Sequence, residues 1–169
     1  MILVFSVFAT EKVNVFILHS YSQEYEWTKK QHNSFVSTLN KSDKNFTFYT
    51  EYLDTKRVKL TQEYKNNFLN YLHMKYTNAS PDLIYVTNDD ALTFVYENYN
   101  QIFLEKEDIP VFFSGINNLN MNTILDKKHY TGVYEIQDIE PNIDLIKQFS
   151  PQTRDIYFFE KITRGQTFA

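Results

Sequence analysis

His19 stands directly beside Ser20, with Tyr21 next in line, and further along the chain Asn88, Asp89 and Asp90 form an amide and carboxylate triplet. An imidazole beside a hydroxyl is the raw material of a base and its nucleophile, and paired carboxylates can move a proton or hold a hard cation. The spacing argues against both uses. Neighbours at the end of a strand point to opposite sides, and no G-x-S-x-G turn surrounds any serine. Asn-Asp-Asp is equally an ordinary start for a helix. The four histidines, His19, His32, His73 and His129, lie far apart without metal-ligand spacing, and His73 reads as a helix surface residue. There is no cysteine, hence no thiolate, disulfide framework or cysteine-held zinc or iron-sulfur centre. Neither G-x-G-x-x-G nor a P-loop occurs, which excludes nucleotide binding by those devices. The expectation is therefore no metal, no cofactor and no catalysis. An α/β enzyme using His19 or Asp89 as its acid-base group is the alternative.

A chain of 169 residues with 43% hydrophobic side chains can bury the core of one domain, or of one domain with a piece of a second. Its formal charge of -4, with acids and bases interspersed, supplies no basic stripe for a phosphate backbone, so nucleic acid is not an expected partner. The opening "MILVFSVFAT" reads as the remnant of a secretory signal or membrane anchor, covering residues 1–12, although it lacks a positive leading region. It is far shorter than the roughly 20 apolar residues of a membrane span, and no later stretch approaches that length. The body of the chain is expected to be soluble.

The elements that must position these residues alternate. Residues 13–18 are a continuous apolar run rich in branched side chains, as in a strand buried on both faces. A helix is expected over 27–39, where Phe35, Val36 and Leu39 recur at helical spacing, and a second strand over 46–53. Thr61 is placed to cap a helix bearing Tyr64, Phe68, Leu69, Leu72 and Tyr76. Strand "DLIYVT", a helix capped by Asp89 or Asp90, strand "VFF", a weaker helix over 120–127 and strand "YTGVYE" follow. Strict alternation with continuous apolar strands predicts a doubly wound α/β fold on a parallel sheet. A further helix over 139–149, with Pro141 in its first turn and Pro151 beyond its end, and a strand "RDIYFF" then extend the sheet or begin a second lobe.

In such a sheet, ligands bind outside the carboxyl ends of the strands, near the point where strand order reverses. His19, Ser20 and Tyr21 follow the first strand; Asp54, Thr55, Lys56 and Arg57 the second; Thr87, Asn88, Asp89 and Asp90 the third. Ser114, Gly115, Asn117 and Asn118 follow the fourth, and Glu135 the fifth. These hydroxyls, amides and carboxylates offer donors and acceptors together, which suits a small neutral or zwitterionic ligand better than a bare phosphate. The same residue types also cap helices in βα loops. Tyr21, Tyr25 and Trp27 could stack on an aromatic ligand or simply pack the start of the first helix.

Five blocks, "VFILHSYSQEYEWT", "EYLDTKR", "DLIYVTNDDAL", "VFFSGINN" and "GVYEIQDIEPNIDLI", resemble in order and spacing the periplasmic binding protein-like domains of the ABC-transporter substrate-binding type. Closest are those in extracytoplasmic sensor regions of bacterial histidine kinases and diguanylate cyclases. The resemblance implies two α/β lobes that close on a small ligand, here a first lobe over residues 13–136 and a second only begun over 137–169. It implies that His19, Ser20, Tyr21, Thr87, Asn88, Asp89, Ser114, Gly115 and Asn117 line the cleft wall, with Glu135 near the hinge. It also implies a periplasmic or extracytoplasmic binding module, either capturing solute for a membrane permease or sensing for a fused kinase or cyclase. The ligand would be an amino acid or another small polar organic compound.

Overall fold

The computed structural model describes residues 12–76, 80–103, 108–136 and 138–157. The apolar segment 1–11 lies outside them. The chain divides into two compact units, residues 1–135 and 136–169.

The first unit is a doubly wound α/β fold. Strands β1 (Lys12–His19), β2 (Asn45–Tyr52), β3 (Leu83–Thr87), β4 (Val111–Ile116) and β5 (Tyr130–Tyr134) form one parallel sheet in the order β2-β1-β3-β4-β5. Helices α1 (Glu26–Leu39), α2 (Gln62–Tyr76), α3 (Asn88–Ile102) and the single turn α4 (Met121–Ile124) connect them. Strand order reverses between β1 and β3, since β2 lies on one side of β1 and every later strand on the other.

Two-residue periodicity sorts each strand's side chains between unequal cores. Phe16 and Leu18 of β1, Ile84 and Val86 of β3, and Val111 and Phe113 of β4 meet Leu69 and Leu72 of α2 and Leu92, Phe94 and Val95 of α3. Phe94 is wholly buried in this core, where truncating such a ring costs about 3 to 5 kcal/mol. The opposite core is thinner: Val15, Ile17 and Tyr85 are buried under Phe35, Val36 and Leu39 of α1, and the Phe35 ring stacks on Tyr85 at 3.8 Å between centroids.

Local signals succeed where the chemistry is local. Thr61 caps α2, its hydroxyl accepting from the Tyr64 N–H at 3.2 Å. Asp89 and Asp90 do not cap α3. Thr87 is the N-cap residue and makes no side-chain cap bond; instead the Ser20 hydroxyl, from β1's exit, accepts from the Ala91 N–H at 2.8 Å. The weak helix expected over 120–127 shrinks to four residues, because Leu125 turns extended to reach burial and Asp126 gathers a turn, its carbonyl accepting from His129 and Tyr130.

In the second unit, α5 (Ile139–Phe149) carries Pro141 in its first turn, and the Asp138 carbonyl accepts from the backbone and side chain of Asn142. The strand expected from "RDIYFF" does not form over residues 154–157, and Phe158 and Phe159 lie outside the described residues. A strand exists only as one side of a ladder, and no strand among the described residues pairs with this segment.

Candidate functional site

Parallel register brings one side chain from each of four strands into a transverse row. Tyr52 pairs with His19, His19 with Thr87, and Thr87 with Ser114, so these residues line up across β2, β1, β3 and β4 at their carboxyl ends. Two residues earlier on the same face stand Ile17 and Tyr85, which belong to the α1 core. The sheet surface under α1 thus changes from apolar to polar at one register position.

Helix α1 changes with it. Its apolar Phe35, Val36 and Leu39 cover the lower part of the sheet, while Thr28, Gln31 and His32, at i, i+3 and i+4, continue the same stripe with polar groups. The His32 Nδ1 is 3.1 Å from the His19 Nε2, and the Gln31 amide donates to the Ser114 hydroxyl at 3.3 Å. Tyr85 and Ser114 share a further bond of 2.7 Å between hydroxyls. The His19 ring stacks on Tyr52, and its Nδ1 bonds the Thr87 hydroxyl at 2.8 Å. His19 is fully buried, which lowers its pKa from 6.5 to about 3, with His32 adding to the effect. Burial lowers His32 as well. Both imidazoles are therefore neutral at physiological pH, and both ring nitrogens of His19 are engaged inside the protein.

Ser20 points to the other side of the sheet. Its hydroxyl donates to the Thr87 carbonyl at 2.8 Å and accepts from Ala91, so it ties β1 to the start of α3 and has no bond to His19. The adjacent pair that suggested a nucleophile and base serves two different helices.

The β3 and β4 exits meet over Gly115. Asn88 takes a left-handed φ of 65° and donates its amide to the Gly115 carbonyl at 3.4 Å. That bond orients the amide, and it leaves the Asn88 Oδ1 buried without a partner, as are the Gln31 Oε1 and Thr28 Oγ1. Gly115 itself has φ 70°, and a Cβ there would sit 2.7 Å from the Gln31 Nε2 and 3.2 Å from the Asn88 Nδ2. Glycine is what lets the two amides close over the strand end. Asp89 braces the next loop, accepting from the N–H groups of Asn117 at 3.1 Å and Asn118 at 2.9 Å. Asp90 accepts from the Thr55 hydroxyl at 2.5 Å.

Two hollows flank α1. One of about 380 Å³ is lined by Glu24, Thr28, Lys29, His32 and Tyr52. The other, about 590 Å³, runs between α1 and β4–β5 and is lined by Trp27, Gln31, Tyr85, Ser114, Gly115 and Glu135. Of the residues expected from sequence, His19, Thr87 and Ser114 share the transverse row, Asn88 and Gly115 follow it in the chain and bond to each other, and Asp89 and Asn117 form the adjoining loop brace. Glu135 reaches the larger hollow, Ser20 is structural to α3, and Tyr21 lies beyond the row. Gln31, His32, Thr28 and Tyr52 were missed. For the three on α1, Thr28, Gln31 and His32, the signal was present as a polar interruption, at i, i+3 and i+4, in the helix's inward stripe; Tyr52, at the end of β2, carried none. Among the described residues, no group of three or more His, Asp or Glu side chains is gathered to hold a metal ion, and no helix is long and apolar enough to cross a membrane.

No family model matches the chain, and no curated protein matches it either. A likeness appears among solved structures: the crystal structure of a conserved domain protein from Vibrio cholerae O1 biovar eltor is similar over 83% of this chain, with a TM-score of 0.56 and 13% identity. The match covers 44% of that protein, so the chain spans less than half of its neighbour's length. At that identity the likeness concerns the fold, an α/β architecture on a parallel sheet.

Proposed function

We propose that the first unit is the ligand-binding lobe of an extracytoplasmic small-molecule binding module of the periplasmic binding protein-like type. The observation that carries the reading is the polar row Tyr52, His19, Thr87 and Ser114 at the point where strand order reverses, with donors and acceptors from α1 laid over it. Open α/β sheets take their ligands at this position. The five sequence blocks support the same reading, as do the two hollows beside α1, where His32 and Tyr52 on one side and Gln31 and Ser114 on the other line open space. The module would capture solute for a membrane permease or sense it for a membrane-bound kinase or cyclase, using a ligand's differential contacts to favour a closed state.

The enzymatic alternative relied on His19 or Asp89 as an acid-base group. His19 is buried with both ring nitrogens bonded, and Asp89 holds two backbone N–H groups. Neither geometry favours proton transfer to a substrate.

Thermal melting against a panel of amino acids, small carboxylates and sugars tests the proposal. A ligand at 100 times its Kd adds about 2.7 kcal/mol, a shift of several degrees for a chain of this size. The expected result is stabilisation by one chemical class, lost in Asp89→Ala and Gln31→Ala. Turnover of a panel compound that disappears in Asp89→Ala while binding persists would overturn the binding-module reading.

A further inference from the structure

Beyond β1, Tyr21 and Tyr25 stand edge to face with ring centroids 5.4 Å apart. Lys56, from the loop after β2, places its ammonium 4.5 Å from the centroid of each ring. One cation is thus shared by two aromatic rings.

The surroundings of that notch are anionic. Burial first, then Asp90, Asp89, Tyr25 and Glu135, push the Tyr21 phenol up to about 12. Asp89 and Asp90 are bonded to neutral donors, the backbone of Asn117 and Asn118 and the Thr55 hydroxyl, so these bonds do not cancel their charge. Asp54 and Glu24 instead face Arg57, at 2.6 Å and 3.4 Å. Paired rings backed by carboxylates attract an organic cation twice over, through the ring quadrupoles and through Coulomb attraction, while the cation's methyl or methylene groups pack on the rings. A lysine ammonium is compact and strongly hydrated, and Lys56 is an exposed side chain on a flexible stem, so its withdrawal into water costs little.

We propose that the Tyr21 and Tyr25 notch is the subsite for the ammonium group of an organic ligand, and that Lys56 is a tethered cation which fills the notch until such a ligand displaces it. The inference rests on the reading of this edge as a small-molecule cleft, and it narrows the ligand class to compounds bearing an amine or quaternary ammonium. A ligand for a site that is open only part of the time binds with an affinity reduced by that fraction. Removing the tethered cation should therefore tighten binding.

Lys56→Met keeps the apolar stem and removes the charge. Calorimetric titration with choline, and with 3,3-dimethylbutan-1-ol as its neutral isostere, compares wild type, Lys56→Met, and Lys56→Met combined with Tyr25→Leu. Choline should bind Lys56→Met several-fold to tenfold more tightly than wild type, the double variant should lose that gain, and the neutral isostere should bind none of them. Thermal melts of each variant confirm that it is folded. Equal binding of the isostere, or choline affinity that does not rise in folded Lys56→Met, overturns the proposal. The metabolite panel separates this failure from that of the parent reading. Stabilisation by neutral or anionic compounds alone, indifferent to Lys56→Met, leaves a binding cleft without a cation subsite; no stabilisation by any compound, in wild type or variant, removes both.

Discussion

His19 and His32 share a hydrogen bond of 3.1 Å, and the far nitrogen of His19 is held by the Thr87 hydroxyl at 2.8 Å. Where His19 accepts from one partner it donates to the other. A hydrogen-bond change at His32, which lines the smaller hollow, can therefore be answered at Thr87 on the central strand.

The buried pair sets a pH dependence. His19 titrates near its ordinary 6.5 when unfolded and near 3 in the native state. Between those values the unfolded chain takes up a proton that the native protein refuses. This contribution to stability is complete above pH 6.5 and is lost as the pH falls toward 3, at about 1.4 kcal/mol per pH unit for one group. His32 acts in the same direction. Urea melts from neutral pH down to pH ~4.5 should show this slope, and His19→Gln should flatten it by about one proton. An unchanged slope in His19→Gln contradicts the assignment.

Gly115→Ala should destabilise the fold by about 1 to 3 kcal/mol, since it forces a side chain into the left-handed region. The added methyl also meets the Gln31 and Asn88 amides. Chemical denaturation measures the loss. Fluorescence of Trp27, the sole tryptophan and a residue of α1, together with near-ultraviolet dichroism, should report displacement of α1 even where the fold survives.

Ser20→Ala should cost about 1 to 3 kcal/mol, because a buried N–H at Ala91 loses its acceptor. Ser20→Thr, which keeps the hydroxyl, should recover part of it. A neutral Ser20→Ala would show that the α3 start is satisfied some other way.

Asp89→Ala should free the Asn117 and Asn118 loop, whereas Asp89→Asn keeps an acceptor and should retain most of the brace. Amide exchange at residues 117 and 118 distinguishes them: faster in the alanine variant and near wild type in the asparagine one. Equal exchange in both would mean that the loop holds its shape without Asp89.

The central strands were legible because burial on both faces forces a continuous apolar run, as in Val15 to Leu18, and a parallel sheet with helices follows from it. Thr61 was legible for a related reason: its cap bond reaches only three residues along the chain. The β1 exit was legible as a polar strand end but not in its bonding. Whether His19 bonds Ser20 or His32 depends on which helix each side of the sheet meets, and that is a matter of register across 13 to 70 or so residues of intervening chain. Asp89 and Asp90 looked like caps because carboxylates at a helix start usually are. The competing acceptor, Ser20, comes from another strand altogether. The polar turn of α1 was not legible as part of the site, because Thr, Gln and His on a helix ordinarily face solvent. Here Thr28 is buried against the sheet.

The inequality of the two cores has a kinetic side. Helix α3 sinks its own Leu92, Phe94 and Val95 into a deep layer with Phe16, Leu18, Ile84 and Val86, whereas α1 holds the sheet through Phe35, Val36 and Leu39 over three buried side chains and a run of polar contacts. Sub-global opening takes the path of least buried apolar area. Helix α1 should be the first element to lift, and its amides the first to exchange after those of frayed ends. Thr28, Gln31 and His32 ride on that helix, so the element most able to breathe is the one whose polar groups lie over the carboxyl edge of the sheet. The sheet and the α3 side should outlast that first opening.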